Sequence, residues 1–208
     1  MILRLQQISE NELQDHYHLN PSDKCYYFGE YTARASYGHS ETNQLILNFK
    51  KPVDRRGLPE WYYKEKAIQE ISFLLNQALA PVNTILFVPV PPSKAKHDPM
   101  YDDRMTRVLD KLNNGWMGNG YRELITQTTS TCAVHAANNR RNIEELINNY
   151  RVEKQLIFPI PSMIIVIDDV LTTGCHYKAM EHHLRQTYPS TEIVGLFLAR
   201  RKIIDDIF

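Results

Sequence analysis

Residues 164–176 read IIVIDDVLTTGCH, and this stretch decides the fold. Four apolar, β-forming residues run without interruption into two adjacent acids, which is typical of a strand buried on both faces. Gly174 then permits a tight turn, and a helical pattern begins at His176. The stretch therefore predicts a parallel strand, a turn and the N-terminus of a helix.

The same stretch predicts an anion site beside two carboxylates. The first N–H groups of a helix have no partner inside it and lie at its positive end, and the hydroxyls of Thr172 and Thr173 add donors. Asp168 and Asp169 follow the strand, at the sheet edge where open α/β sheets bind ligands. Ionised carboxylates accept hydrogen bonds from hydroxyl pairs, so a sugar phosphate fits both halves. Paired acids in a solvated turn are the alternative.

Composition sets limits on the class of protein. The chain has 208 residues and zero formal net charge, which argues against a dedicated nucleic-acid or membrane-surface protein. Cys25, Cys132 and Cys175 are odd in number and far apart, so they suggest neither a disulfide framework nor a zinc site. No apolar run approaches the roughly 18 residues that span a bilayer, and no signal-peptide pattern opens the chain. We expect a cytoplasmic protein.

The remaining patterns predict an α/β protein with an N-terminal cap. Residues 25–33 and 44–49 are predicted as strands of a small antiparallel β hood within residues 1–58. The core domain, 59–208, is predicted to hold a mainly parallel sheet with helices on both faces. Its strands are predicted over 84–90, 121–126, 162–167 and 192–199, and its helices over 60–80, 98–112, 138–150 and 176–188.

The loop after the strand 84–90 is a second candidate ligand-binding segment. Residues 88–94 read VPVPPSK, in which three prolines stiffen the backbone and Lys94 supplies a positive charge. Further along, Arg104 lies in the predicted helix 98–112, for which Asp98 is the predicted N-cap. A merely rigid loop and a surface arginine are the alternative interpretations.

The strand, the D-D-V-x-T-T-G run and the helix resemble the 5-phosphoribosyl-1-pyrophosphate (PRPP) motif of type I phosphoribosyltransferases. A narrower resemblance, over roughly residues 25–201, is to the ComF group of amidophosphoribosyltransferase-like proteins. Besides the motif, the resemblance is carried by LILNFKK, the V-P loop and three short strings that contain arginine, DDR at 102–104, RRN at 140–142 and ARR at 199–201. The chain departs from the family in two respects: it has no cysteine pairs for a zinc ribbon, and His176 stands where a small hydroxyl residue is usual.

The resemblance implies an activity, namely transfer of the 5-phosphoribosyl group between pyrophosphate and a nitrogen nucleophile such as a nucleobase. It implies Mg²⁺ as cofactor, a role in nucleotide metabolism and a homodimer. Asp168 and Asp169 would be the catalytic residues, holding the ribose hydroxyls and contacting the metal. The PRPP phosphate would lie on Val170, Leu171, Thr172, Thr173, Gly174, Cys175 and His176. Pyrophosphate would be bound by Pro92, Ser93, Lys94 and Arg104, with Arg140 and Arg141 in a mobile loop.

Two other functions stay open on the sequence. A regulatory module of the same fold would sense PRPP or a nucleotide without turnover, and the substitution at His176 favours it. A nucleic-acid-associated protein would use the basic residues at 50–51, 55–56 and 200–202, although the neutral net charge speaks against it.

Overall fold

The computed structural model describes residues 4–79, 84–112, 120–131 and 142–203. The strands are β1 (Gln6–Gln7), β2 (Cys25–Thr32), β3 (Ile85–Pro89), β4 (Ile125–Gln127), β5 (Tyr150–Val152), β6 (Met163–Leu171) and β7 (Glu192–Lys202). The α-helices are α1 (Glu41–Phe49), α2 (Trp61–Ala78), α3 (Arg104–Leu109), α4 (Ile143–Asn149) and α5 (Cys175–Thr187). Short 3₁₀ helices lie at Glu10–His16, Val53–Arg55 and Lys154–Leu156. None of the helices in these ranges combines the length and the apolar character that a membrane crossing requires.

The main sheet has the strand order β1-β2-β7-β6-β3. Strands β2, β7, β6 and β3 pair in parallel, and the short β1 pairs antiparallel with β2 at the edge. Strands β4 and β5 form a separate antiparallel pair. The predicted α/β class and the mainly parallel sheet are therefore confirmed.

Helices cover both faces of this sheet, as predicted. Successive side chains of the central strand, β6, point to opposite faces, and because they are apolar on both faces, each face packs against helices. In β6, Ile164 and Val166 pack in a core with α4 and α5. Ile165 and Ile167 pack in a second core with α1, α2 and α3. Burying each of these four side chains stabilises the fold by about 1.5–3 kcal/mol, so both cores depend on this one strand.

The predicted antiparallel β hood is wrong, although the strand predicted over 25–33 is confirmed as β2. Residues 44–49 are helical, within α1, because Ser40 caps the helix by accepting from the N–H of Asn43 at 3.0 Å. The apolar residues Leu45, Ile46 and Phe49 then lie on one helical face and pack into the core with α2. The other predicted strand, β2, belongs to the main sheet and pairs in parallel with β7. The division of the chain at residue 58 stays a prediction.

Three element boundaries in the core differ from the predicted ones. The helix predicted over 98–112 begins at Arg104, because Asp98 caps a turn, accepting from the N–H of Met100 at 2.9 Å, and not a helix. Of the strand predicted over 121–126, only Ile125 and Thr126 lie in a strand, β4, which is outside the main sheet, although Tyr121 forms an isolated parallel bridge with Phe87 of β3. The central strand was predicted to end at residue 167, but β6 continues through the acids to Leu171, with Leu171 opposite Arg200 of β7.

Candidate functional site

Asp169 lies at the carboxyl end of β6, and its carboxylate is clamped between two cations. Its side chain is 6% exposed. Lys50, which ends α1, donates to Oδ1 at 2.9 Å, and Arg104, which begins α3, donates to Oδ2 at 2.5 Å. Burial would raise the pKa of Asp169, but Lys50 and Arg104 outweigh it and hold the pKa well below the ordinary carboxyl value. Asp169 is therefore ionised at any physiological pH.

Asp168 has different surroundings from its neighbour. It is half-buried, and its Oδ1 accepts from the backbone N–H of Asp169 at 2.7 Å. Burial and the negative charge of Asp169 raise the pKa of Asp168, against the opposing effect of Lys50 and Arg104. A proton or a metal ion on Asp168 would relieve this repulsion.

The residues present fit a magnesium ion that arrives with its ligand. Among the described residues, no group of three or more His, Cys, Asp or Glu side chains is placed to hold a metal. Because both oxygens of Asp169 accept from cations, Asp168 is the acid left for a metal. Mg²⁺ is commonly bound by one or two carboxylates with water and phosphate oxygens, which is a donor set that Asp168 and a phosphorylated ligand supply.

The turn after β6 has the backbone conformation that its glycine was predicted to provide. Gly174 has φ +87°, in the left-handed region, and precedes α5. A Cβ atom there would lie 2.9 Å from the side chain of Leu19. Thr172 and Thr173 are half-buried, and the first amides of α5 have no partner within the helix. These residues, 172–174, form the candidate phosphate loop.

The N-terminal segment supports this loop from one side, which the sequence did not reveal. The backbone N–H of His18 donates to the carbonyl of Thr173 at 3.0 Å. Nδ1 of His16 is hydrogen-bonded to the carbonyl of Thr172. His16 is fully buried, and this burial lowers its pKa, so the ring is neutral and Nδ1 carries the proton that it donates.

Four other residues of the predicted phosphate site lie around the loop. Val170, Leu171 and Cys175 have side chains in the core, so only their backbone groups are available to a ligand. His176 is half-buried in the first turn of α5, and the hydroxyl of Tyr150 is 2.7 Å from its Nδ1. The imidazole is thereby tied to β5.

The proline-rich segment, predicted to bind pyrophosphate, begins beside the acids. The N–H of Val90 donates to the carbonyl of Ile167 at 2.9 Å, one residue before Asp168. The carbonyl of Ser93 accepts from the side chain of Gln127 and the backbone N–H of Thr131, each at 2.7 Å, which fixes the loop. Pro92 and Lys94 are half-buried on the same loop, and Nζ of Lys94 lies 3.8 Å from Asp98. Arg140 and Arg141 lie outside the described residues.

Sequence reasoning predicted Arg104 but missed the groups around it. Lys64 of α2 is fully buried, and its Nζ donates to Asp102 Oδ2 at 2.7 Å. The same Oδ2 accepts from Arg104 at 2.7 Å. A signal for Lys64 was present in the sequence, because it precedes Ala67 and Ile68 by three and four residues and so lies on the apolar stripe of its helix.

The basic residues of the nucleic-acid hypothesis are partly neutralised. Lys50 is bonded to Asp169. Arg200 is 7% exposed and pairs with Glu12, Asp15 and Glu30 at 2.9, 3.2 and 2.5 Å. Arg200 is therefore not presented to solvent as a contact for a nucleic-acid backbone, whereas Lys50 keeps 40% of its side chain exposed beside Asp169.

A search with protein-family models finds no match for this chain, and a search of curated proteins finds none either.

Proposed function

We propose that the protein binds PRPP with Mg²⁺ and transfers the 5-phosphoribosyl group between pyrophosphate and a nitrogen nucleophile such as a nucleobase. The observation that carries the proposal is the arrangement at the end of β6. Two acids of different electrostatic character lie a few residues before a left-handed glycine and a helix N-terminus. This edge of the sheet offers hydrogen-bond donors to a phosphate and a carboxylate acceptor to a pair of hydroxyls. A sugar phosphate carries both of these groups.

Each half of the ligand has a matching set of groups. The 5-phosphate lies on the loop 172–174 and the first amides of α5, and the ribose hydroxyls donate to Asp168. The pyrophosphate lies on the cationic side, where Lys50 and Arg104 converge on Asp169 and Lys94 lies on the neighbouring loop. Mg²⁺ supplies neutralisation of the charge that develops on the departing pyrophosphate.

The transfer step needs stabilisation of a sugar cation. The bond from C1 of the ribose to the pyrophosphate oxygen breaks and its electron pair leaves with pyrophosphate, a bond from C1 to the nitrogen nucleophile forms, and the proton of that nitrogen passes to the departing pyrophosphate or to water. Positive charge develops on the sugar in between, as in other glycosidic cleavages. The carboxylate of Asp168 favours this cation electrostatically when it is ionised, and the hydrogen bonds to the hydroxyls hold C1 in place.

A second candidate function is a PRPP or nucleotide sensor that does not turn over its ligand. The observation that favours it is the tie between His176 and Tyr150, a ring and a hydroxyl 2.7 Å apart. An imidazole fixed at the start of α5 occupies more room beside the phosphate loop than the small hydroxyl residue usual in the resembling family. A ligand displaced from its reactive position by about 1 Å can still bind while its reaction slows by about 10²-fold.

Release of pyrophosphate tests the proposed transfer. Purified protein is incubated with PRPP and Mg²⁺ together with adenine, guanine, hypoxanthine, xanthine, uracil or orotate, and pyrophosphate is measured by a coupled assay. The proposal expects release that depends on one or a few bases and is lost in Asp168→Asn. PRPP binding without release from any base, and gain of release in His176→Ser, would support the sensor.

A further inference from the structure

Five charged side chains, one of them Asp169, and one backbone carbonyl form a closed ring of hydrogen bonds. Nζ of Lys64 donates to Asp102, Asp102 accepts from Arg104, and Arg104 donates to Asp169. Lys50 donates to the other oxygen of Asp169. The ring closes through the backbone, because Nζ of Lys64 also donates to the carbonyl of residue 51 at 2.8 Å.

Lys64 connects the two cations of the site on the side away from Asp169, which bonds both of them directly. Lys64 holds Arg104 through Asp102, and it holds Lys50 through the carbonyl of the following residue. Its side chain has no exposed surface, whereas that of Lys50 is 40% exposed. An ammonium group without access to solvent keeps its charge only when it is bonded, so Lys64 is fixed in place.

The charges of the ring do not cancel. Three cations (Lys50, Lys64 and Arg104) and two anions (Asp102 and Asp169) leave one positive charge in the ring. Alternating charges hold one another at fixed positions, and the surplus favours an anion beside Lys50 and Arg104. The ring therefore has the properties of a preorganised anion-binding wall, and not of a surface ion pair.

We propose that Lys64 is a positioning residue, which holds Lys50 and Arg104 on either side of Asp169 and thereby fixes the binding position of the pyrophosphate group. This inference rests on the proposed function, because it assigns the ring to the pyrophosphate of PRPP. Lys64 is the fully buried member of the ring, so its own ammonium group is not accessible to a ligand. Its removal lets both cations relax from Asp169, so the anion loses its preorganised partners.

Calorimetric titration of PRPP with Mg²⁺ tests the inference on five proteins: the wild type, Lys64→Met, Arg104→Gln, the double variant Lys64→Met with Arg104→Gln, and Ser72→Ala. Ser72→Ala is the matched control. Its buried hydroxyl lies on the same helix and donates to the carbonyls of Ile68 and Val108, so its loss loosens the α2–α3 contact without touching the ring. Each variant is titrated at a temperature at which circular dichroism finds it folded.

Lys64→Met is expected to weaken PRPP binding about tenfold or more, since it removes a charged hydrogen bond that positions two ligand contacts. Ser72→Ala is expected to lower the melting temperature and leave the affinity within about twofold. The double variant is expected to bind more weakly than Arg104→Gln alone but with a loss smaller than the sum of the two single losses, because Lys64 acts partly through Arg104 and partly through Lys50. Asp102→Asn breaks the same ring and is titrated in parallel, so the test stays decisive if Lys64→Met does not fold.

The outcomes separate this inference from the proposed function. A wild type that binds no PRPP overturns the proposed function and the inference with it. A wild type that binds PRPP, with unchanged affinity in Lys64→Met or Asp102→Asn, overturns the inference alone. Strictly additive losses in the double variant also overturn it, because they mean that Lys64 does not act through Arg104.

Discussion

At the scale of single residues, the two neighbouring acids of the candidate site have opposite electrostatic surroundings. Asp169 is held by Lys50 and Arg104, which outweigh its burial and lower its pKa. Among the residues that the structure describes, none forms an ion pair with Asp168, and burial and the charge next to it raise its pKa. Asp169 therefore organises the cations around it, and in the proposed function Asp168 is the acid that contacts the ligand.

Asp169→Asn is expected to destabilise the protein. At pH 7 the native carboxylate contributes its full stabilisation, because its folded pKa lies below its unfolded pKa and the stability is lost only as pH falls through the acid range. Removing the charge takes the paired acid from Lys50 and leaves Arg104 with Asp102 alone as its described acid, which costs about 2 kcal/mol or more of unfolding free energy, as measured by urea denaturation. Glu192→Gln, which breaks an exposed pair with Lys24, is the control and should have far less effect. An equal effect of the two substitutions would contradict the clamp.

Asp168→Asn is expected to change how stability depends on pH. The folded pKa of Asp168 exceeds the unfolded value of about 3.9, so the folded protein binds an extra proton between the two and loses stability as pH rises through that window. Asparagine has no such loss. The unfolding free energy of the variant relative to the wild type should therefore increase from pH 4 to pH 8, by about 1.4 kcal/mol for each unit of raised pKa. A difference that stays constant with pH would show that Asp168 is not perturbed.

At the scale of elements, β6, the turn at Gly174 and α5 carry the protein groups that are proposed to contact the ligand. The strand continues through the acids because β7 pairs with it as far as Leu171. Only residues 172–174 separate the end of β6 from the start of α5. Leu19 of the N-terminal segment packs against Gly174. The loop geometry depends on glycine for both its backbone angle and its lack of a Cβ atom.

Gly174→Ala is expected to cost about 2–3 kcal/mol, since it combines a positive φ with a contact of 2.9 Å to Leu19, and to weaken PRPP binding. Gly57→Ala is the matched control, because Gly57 has nearly the same φ, +89°, and nothing within 4 Å of a Cβ atom. It should cost about 1 kcal/mol and leave binding intact. Thermal unfolding and calorimetry on both variants check this, and the idea fails if the two are alike.

How far the sequence predicts these elements depends on whether the signal is local. β6 and α5 were predicted because an apolar run, a glycine and a helical pattern lie next to one another. α1 was predicted as a strand because a six-residue apolar run fits either period; its helical state is decided by the cap at Ser40 and by packing on α2. The ring around Asp169 joins α1, α2, α3 and β6, and such long-range contacts leave little trace in a single sequence.

At the scale of the whole molecule, Arg200 ties the N-terminal segment to the sheet and so to the phosphate loop. It lies in β7, and its guanidinium pairs with Glu12 and Asp15 in the 3₁₀ helix Glu10–His16. That helix leads directly to the residues that bond the loop carbonyls, His16 and His18. Residues 10–18 and β7, which are far apart in the sequence, thus meet beside the candidate site, an arrangement that the sequence order alone does not indicate.

Arg200→Met is expected to release this segment. Three acids lose their buried cation, which costs about 3 kcal/mol, and the backbone N–H of His18 should exchange with deuterium faster because its bond to Thr173 loosens. Lys202→Met is the control. This exposed lysine lies in the same strand as Arg200, and its one described ion pair is with Glu30 of β2. Hydrogen–deuterium exchange of residues 10–19 and 172–174 measures the effect. Protection that is unchanged in Arg200→Met would contradict the tie.

The central claim is that Asp168 and the loop 172–174 bind PRPP together with Mg²⁺. Calorimetric titration of PRPP into the wild type and into Asp168→Asn, each with and without Mg²⁺, tests it most directly. We predict one PRPP bound per chain in the wild type, stronger binding with Mg²⁺, and no measurable binding in a folded Asp168→Asn. No binding to the wild type, or equal binding to the two proteins, would contradict the account.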